Sequence, residues 1–196
     1  KVFHGAKDED FVTIDSVLLP EYNRLSQDKR FKEAAAQTTY EQAKENITKI
    51  LLNKTKFIES TDKNLARGTN KLGSTASGFY QYLIDSVRPS FNRVERYFPR
   101  KEAEKIFGKA LVNNDTSLLT EKKQDMLFLA DMFQRKGTDN FLAPILFMDE
   151  TDDDSINEAQ QGAFDLFIKE HHTVSSKKQE YNEATIKAAK EQWNRK

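Results

Sequence analysis

A chain of 196 residues, 37% of them hydrophobic, is long enough for one core with a helical appendage and gives no reason to divide it into two large domains. Its 31 Lys and Arg balance 31 Asp and Glu, so no net field draws it to polyanions and sequence-specific nucleic-acid binding is not expected. The absence of cysteine removes disulfides, zinc ribbons and thiol nucleophiles together. No apolar run approaches the roughly 18 residues that a membrane span needs.

The first residues, Lys1 to Ala6, lack the apolar segment of a signal peptide, and the chain starts without Met and ends in a charged helical pattern. It reads as a piece of a longer protein, one that other parts must deliver to wherever it acts. Residues 1–37 are expected to form a helical extension or linker, with a polar, weakly amphipathic helix from about 20 to 36. Thr38 and Glu41 have the spacing of a capping box. The helix that follows carries Ile47, Ile50, Leu51, Phe57 and Ile58 on one face and should end near Ser60-Thr61-Asp62.

From Thr61 to Ser77 the composition turns to Thr, Asn, Lys, Gly and Ser, which predicts a long loop, a type more often functional than idle. A helix is expected from Gly78 to about Asp85, limited by Pro89, with Ser90 to Phe98 as a separate or kinked segment. Further helices are expected over Lys101 to Val112, Glu121 to Gln134 and Phe141 to Met148. Ser155 and Glu158 predict a capping box opening a helix to about His172, and Ser176 to Gln179 another, leading into a terminal helix that reaches Trp193. With only seven glycines and four prolines and no sustained two-residue alternation, the fold class is mainly α. The expected organisation is a helical body over residues 38–175 and a C-terminal helix over 176–196.

By position alone Glu59 reads as the cap of an exposed helix end, and the alternative is an acid role. Glycoside cleavage needs a carboxyl group that delivers a proton to the departing oxygen, and apolar neighbours together with the negative end of a helix dipole favour the protonated form of such a group. Phe57 and Ile58, at an expected helix end, supply that setting. A second block, Ser74-Thr75-Ala76-Ser77-Gly78-Phe79-Tyr80-Gln81-Tyr82, brings small residues, a glycine and an amide among aromatics. Of these, Phe79, Tyr80 and Tyr82 also suit core packing, whereas Gln81 requires another reason.

The two blocks resemble the leading motifs of the lysozyme-like lytic transglycosylases: an apolar helix ending Glu-Ser, then Ser-Ser-Ala-x-Gly-x-x-Gln-aromatic, in the versions carried inside tailed-phage virion proteins. The likeness spans about Ile47 to Thr173, with its specific part confined to some ten residues. It implies a lysozyme-like helical domain with flanking helices, Glu59 as the catalytic residue, and Ser60, Gly78, Gln81 and Tyr82 as substrate-binding residues, with Gly78 allowing close approach and Gln81 directed at the cleft. A looser third match, Leu166 to Thr173, puts His171 or His172 where relatives place an aromatic residue followed by His; His172 is the choice, as the one nearer the helix end. The inter-block loop is longer than in compact cell-wall enzymes, and the usual Tyr-Asn pair of the third motif is missing.

The resemblance further implies cleavage of the β-1,4 bonds of bacterial peptidoglycan in the host periplasm or cell wall, aiding penetration during genome ejection. The partners would be glycan strands and other virion proteins or further copies of this chain. No cofactor is implied. Asp62 or Asp85 activating water would give a hydrolase instead, and loss of catalysis would leave a structural or docking domain of the ejection assembly. No metal site is expected, because adjacent His171 and His172 point about 100° apart. The acidic run Asp149 to Asp154 fails as a calcium loop, having Thr151 and Asp154 where an oxygen ligand and a glycine are needed. Phosphate-binding glycine loops and nucleophile elbows are absent from the sequence.

Overall fold

The computed structural model describes residues 13–67, 75–172 and 183–195, and among these the chain is mainly α-helical. The helices are α1 (Asp15–Ser26), α2 (Lys32–Ala36), α3 (Tyr40–Ile47), α4 (Asn53–Ser60), α5 (Ile84–Val94), α6 (Arg100–Asn113), α7 (Glu121–Phe133), α8 (Asp139–Leu146), α9 (Asp153–Leu166) and α10 (Glu183–Arg195). Short π-helical turns, Thr48–Leu52 and Phe167–His172, join α3 to α4 and extend α9. In place of a sheet, the described residues hold two isolated antiparallel bridges, Leu65 with Gly78 and Ser77 with Tyr82.

The core centres on α7. Every residue from Met126 to Phe133 is buried, a pattern possible only for a helix covered on all sides. Among its neighbours, α5 packs Val87, Phe91 and Val94, at the three- and four-residue spacing of one helical face. The flanking helices share this core. Val17, Leu18 and Leu25 of α1 are buried in the same cluster, and on α10 the fully buried Trp193 has its ring 5.0 Å from that of Phe167 and 5.9 Å from that of Phe164.

Several local expectations are corrected. The helix expected over residues 20 to 36 is two helices, α1 and α2, because the chain turns at Gln27 to Phe31. The capping box sits one residue later, on Thr39 and Gln42, whose side chains and backbone amides bond reciprocally. At α9 the N-cap is Asp152, accepting from the Asp154 amide, while Ser155 Oγ accepts from the Asp149 amide. Pro89 does not interrupt α5: Pro89 and Asp85 are both exposed, so the carbonyl that loses its donor faces water. The capping box expected at Ser176 to Gln179 lies outside the described residues.

The largest correction concerns the segment from Gly78 to Leu83, which is a tight turn and not a helix. Ser77 and Tyr82 exchange both backbone hydrogen bonds at 3.0 Å, closing a loop of Gly78, Phe79, Tyr80 and Gln81. Gly78 (φ 78°) and Gln81 (φ 53°) are both left-handed, a conformation that ends helical continuity. The next helix begins only at Ile84.

Candidate functional site

The two sequence blocks meet in space. Helix α4 ends at Ser60, where Thr61 (φ 55°) and Asp62 (φ 60°) turn the chain through left-handed conformations. A β-branched threonine in that region is strained. Of the six described residues with positive φ, four, namely Thr61, Asp62, Gly78 and Gln81, lie in these two places. Strain held by the surrounding structure is characteristic of sites that do chemistry or binding. Ser60 Oγ donates to the Phe79 carbonyl at 2.8 Å and is itself buried, fastening the end of α4 to the turn. Glu59, with Phe57 and Ile58, is half-buried beside this junction.

The turn has almost no regular structure of its own, so its backbone polar groups must find partners elsewhere. They do so one by one. The Gly78 amide donates to Leu65 O at 2.7 Å, and the Gly78 carbonyl accepts from Gln81 Nε2 at 2.7 Å. This bond gives Gln81 its structural reason: its amide closes the turn in which it stands. The Phe79 amide donates to Gln124 Oε1 at 2.8 Å. The Tyr80 carbonyl lies 2.6 Å from His171 Nε2, which must carry the proton in that contact.

Gly78 is buried, and close approach there involves the protein's own side chains. A Cβ on Gly78 would stand 2.3 Å from Gln124 Oε1 and 2.4 Å from Thr116 Oγ1, so positive φ and packing both require glycine. Thr116 is fixed in turn by Ser77, its Oγ1 donating to Ser77 O at 2.8 Å and its amide to Ser77 Oγ at 3.0 Å.

The aromatic residues of the block divide between core and boundary. Tyr80 and Tyr82 are buried and Phe79 half-buried. The Tyr80 ring stacks on Phe128 at 4.4 Å and its hydroxyl donates to Asp125. Tyr82 donates to Asp131 at 3.0 Å. Burial first, then the neighbouring carboxylates, pushes both phenols well above their usual range. The carboxyl of Asp125 is itself raised by burial, against the opposing pull of Lys56, whose Nζ lies 3.1 Å away. Burial alone would pull the Lys56 ammonium down, but Asp125 and Glu121 more than offset it. Asp131, fully buried, meets Arg93 at 2.6 Å and Arg135 at 3.3 Å.

Of the histidines, His171 faces inward, its ring edge-on to Tyr82 and to Phe128 at 5.2 Å. The His172 side chain lies outside what the structure describes, as does Ser74 of the second block. Ser60 is thus tied to the turn that carries Gly78, Gln81 and Tyr82, with Glu59 its half-buried neighbour in the chain; Gly78 and Tyr82 are buried and Gln81 is turned back on its own loop. Asp62 is exposed at the end of α4 and Asp85 is exposed in the first turn of α5.

The residues that sequence reasoning missed are on α7: Gln124, Asp125 and Asp131, which take the Phe79 amide and the two tyrosine hydroxyls. For Asp131 the signal was available, as a lone carboxylate inside the apolar run Met126 to Phe133. A cleft of about 660 Å³ lies elsewhere, between the α2–α3 junction and the α8–α9 loop, lined by Gln37, Thr38, Asn46, Met148, Asp149 and Asp152 among others. It includes none of the sequence-predicted site residues. Among the described residues, no group of three or more His, Asp or Glu is placed to hold a metal, and no helix is long and apolar enough to cross a membrane. Compared with known proteins, the chain matches no family model, no curated protein sequence and no solved structure.

Proposed function

We propose that the end of α4 and the Gly78–Gln81 turn form the active site of a lysozyme-like lytic transglycosylase domain, which cleaves the β-1,4 glycosidic bonds of bacterial peptidoglycan as part of a phage virion protein. The observation that carries this reading is the Ser60 Oγ to Phe79 carbonyl bond: two blocks well apart in the chain, and singled out by their sequence alone, are joined directly. In the proposed reaction Glu59 gives its proton to the oxygen linking the two sugars as the C1–O bond breaks. The resulting carboxylate takes the proton from the muramic C6 hydroxyl, whose oxygen closes on C1 to form the anhydro ring, with no water consumed. One carboxylate suffices when the substrate's acetamido group stabilises the cationic centre, a departure from the usual pair of acids.

Glu59→Gln keeps the shape of the side chain and removes the proton donor. We expect it to lower release of glycan fragments from purified peptidoglycan by at least about a hundredfold, with an unchanged helical circular-dichroism spectrum. Product mass identifies the chemistry, since the anhydro product is one water lighter than the hydrolytic one. A folded, active Glu59→Gln protein overturns the assignment. An inactive wild-type protein leaves the structural or docking role in a virion ejection assembly.

A further inference from the structure

A closed ring of contacts runs around the end of α4. Starting from Ser60, next to Glu59, its hydroxyl holds the Phe79 carbonyl, and the Phe79 amide donates to Gln124 Oε1 at 2.8 Å. Gln124 Nε2 donates to Asn64 Oδ1 at 3.0 Å, and from Asn64 the backbone returns to Ser60. The orientation of each amide is set by its surroundings. Gln124 Nε2 also donates to Leu119 O at 3.0 Å, so its nitrogen faces two acceptors and its oxygen an N–H; Asn64 Nδ2 donates to Ser117 O at 2.9 Å, leaving Oδ1 for Gln124. Gln124 is buried, and it is the one side chain of the ring that comes from outside the two blocks and the loop leaving α4.

We propose that Gln124 is a positioning residue: by bridging the Phe79 amide to the loop that leaves α4, it fixes the distance between the Glu59 end of the helix and the glycine turn. The proposal rests on the reading of Glu59 as the proton donor and adds a residue that neither sequence block contains. The packing agrees with it, because Gln124 Oε1 is also the atom that a Cβ on Gly78 would strike, at 2.3 Å. The glycine and the glutamine are therefore one device, the first making room for the second. Without the bridge, the turn keeps the Ser60 contact and its tyrosine anchors on α7 but loses the α7 side chain that holds its Phe79 amide.

The test uses Gln124→Met, which keeps length and removes all three polar contacts of the side chain, and Asn64→Ala, which cuts the ring at its exposed side. Backbone amide exchange, thermal melting and the kcat and KM for soluble peptidoglycan fragments are measured on the same samples. For folded Gln124→Met, exchange at the Phe79 amide should rise about tenfold or more and kcat should fall about tenfold, the effect of one lost oriented hydrogen bond, with KM within about twofold. Asn64→Ala should speed exchange between Asp62 and Leu65 and lower kcat severalfold with little change in melting temperature. Unchanged Phe79 exchange and kcat in folded Gln124→Met overturns the proposal, as does a kcat loss that vanishes once activity is normalised to the folded fraction. Should Gln124→Met fail to fold, an unchanged kcat in Asn64→Ala overturns it. If the wild-type protein releases no fragments, the Glu59 reading falls, and Phe79 exchange still decides whether Gln124 clamps the turn.

Discussion

Residues 61–67 and 75–83 and the pair α8–α9 are held by opposite means. In the helix pair most backbone groups bond within their own helix, apart from the caps and the break at Pro144, and apolar packing joins the elements: Leu142, Ala143, Ile145 and Leu146 of α8 and Ala159 and Ala163 of α9 are fully buried. Small residues let the two helices come close, so that a Cβ on Gly162 would lie 3.5 Å from the Phe141 carbonyl. In the loop-and-turn segment the backbone borrows partners from Ser60, Gln124 and His171, and its tyrosines anchor on buried carboxylates of α7. Apolar packing degrades gradually when trimmed. A polar anchor fails at a single atom, and it also sets positions to the tolerance that chemistry needs.

The largest effect should come from Asp131→Ala, which leaves the half-buried guanidinium groups of Arg135 and Arg93 and the hydroxyl of Tyr82 without their common partner. A loss of about 3 to 5 kcal/mol is expected in equilibrium denaturation, and a loss below about 1 kcal/mol would break the contrast between polar anchors and apolar packing. Leu146→Ala should cost about 3 kcal/mol by leaving a cavity, while glycan release per folded molecule stays at the wild-type level; a matching loss of activity would show that the helix pair also shapes the site. Ser60→Ala should do the reverse. It removes a hydroxyl shared between the Phe79 and Lys56 carbonyls and about 1 kcal/mol of stability, yet should lower turnover about tenfold, because it unfastens the junction beside Glu59.

The smallest effect concerns pH. Asp15 has its carboxyl below the usual range: burial works against the charged form, but hydrogen bonds from Tyr40, Lys44 and Thr13 outweigh it. A carboxyl depressed in the folded state contributes stability above its unfolded value and loses it as pH falls through the folded one. The melting temperature should therefore drop between pH 5 and pH 3, and the drop should be smaller in Asp15→Asn. Identical pH profiles for the two proteins would show that the α1–α3 contact carries no pH-dependent stability.

Much of the helical organisation was legible from the chain itself. The face formed by Ile47, Ile50, Leu51, Phe57 and Ile58 predicts a helix ending near Ser60, and α4 ends there. The spans Lys101 to Val112 and Glu121 to Gln134 correspond to α6 and α7 within a residue or so at each end. At least two of Phe79, Tyr80 and Tyr82 were readable as core, and Tyr80 and Tyr82 are the buried ones, although Tyr82 was also expected at the substrate. The Gly78 to Leu83 turn was not legible, because aromatic residues at 79, 80 and 82 fit a helix face as well as a turn. Its true partners, Gln124, Asp125, Asp131 and His171, lie far along the chain. Gln124 itself sits in the polar run Glu121 to Asp125, which reads as the solvated first turn of a helix.

The sequence by itself determined that the chain is helical, where an apolar-faced helix stops, and which two short blocks stand out in composition, because periodicity and turn-forming residues act over a few neighbours. Only the tertiary structure decided that the blocks touch through Ser60 and Phe79, that Gly78 is small to admit Gln124 and Thr116, and that Gln81 folds back onto its own turn. Those outcomes depend on which distant donors and acceptors can reach a backbone that lacks a helix to satisfy it. That is a property of packing in three dimensions, and local sequence does not encode it.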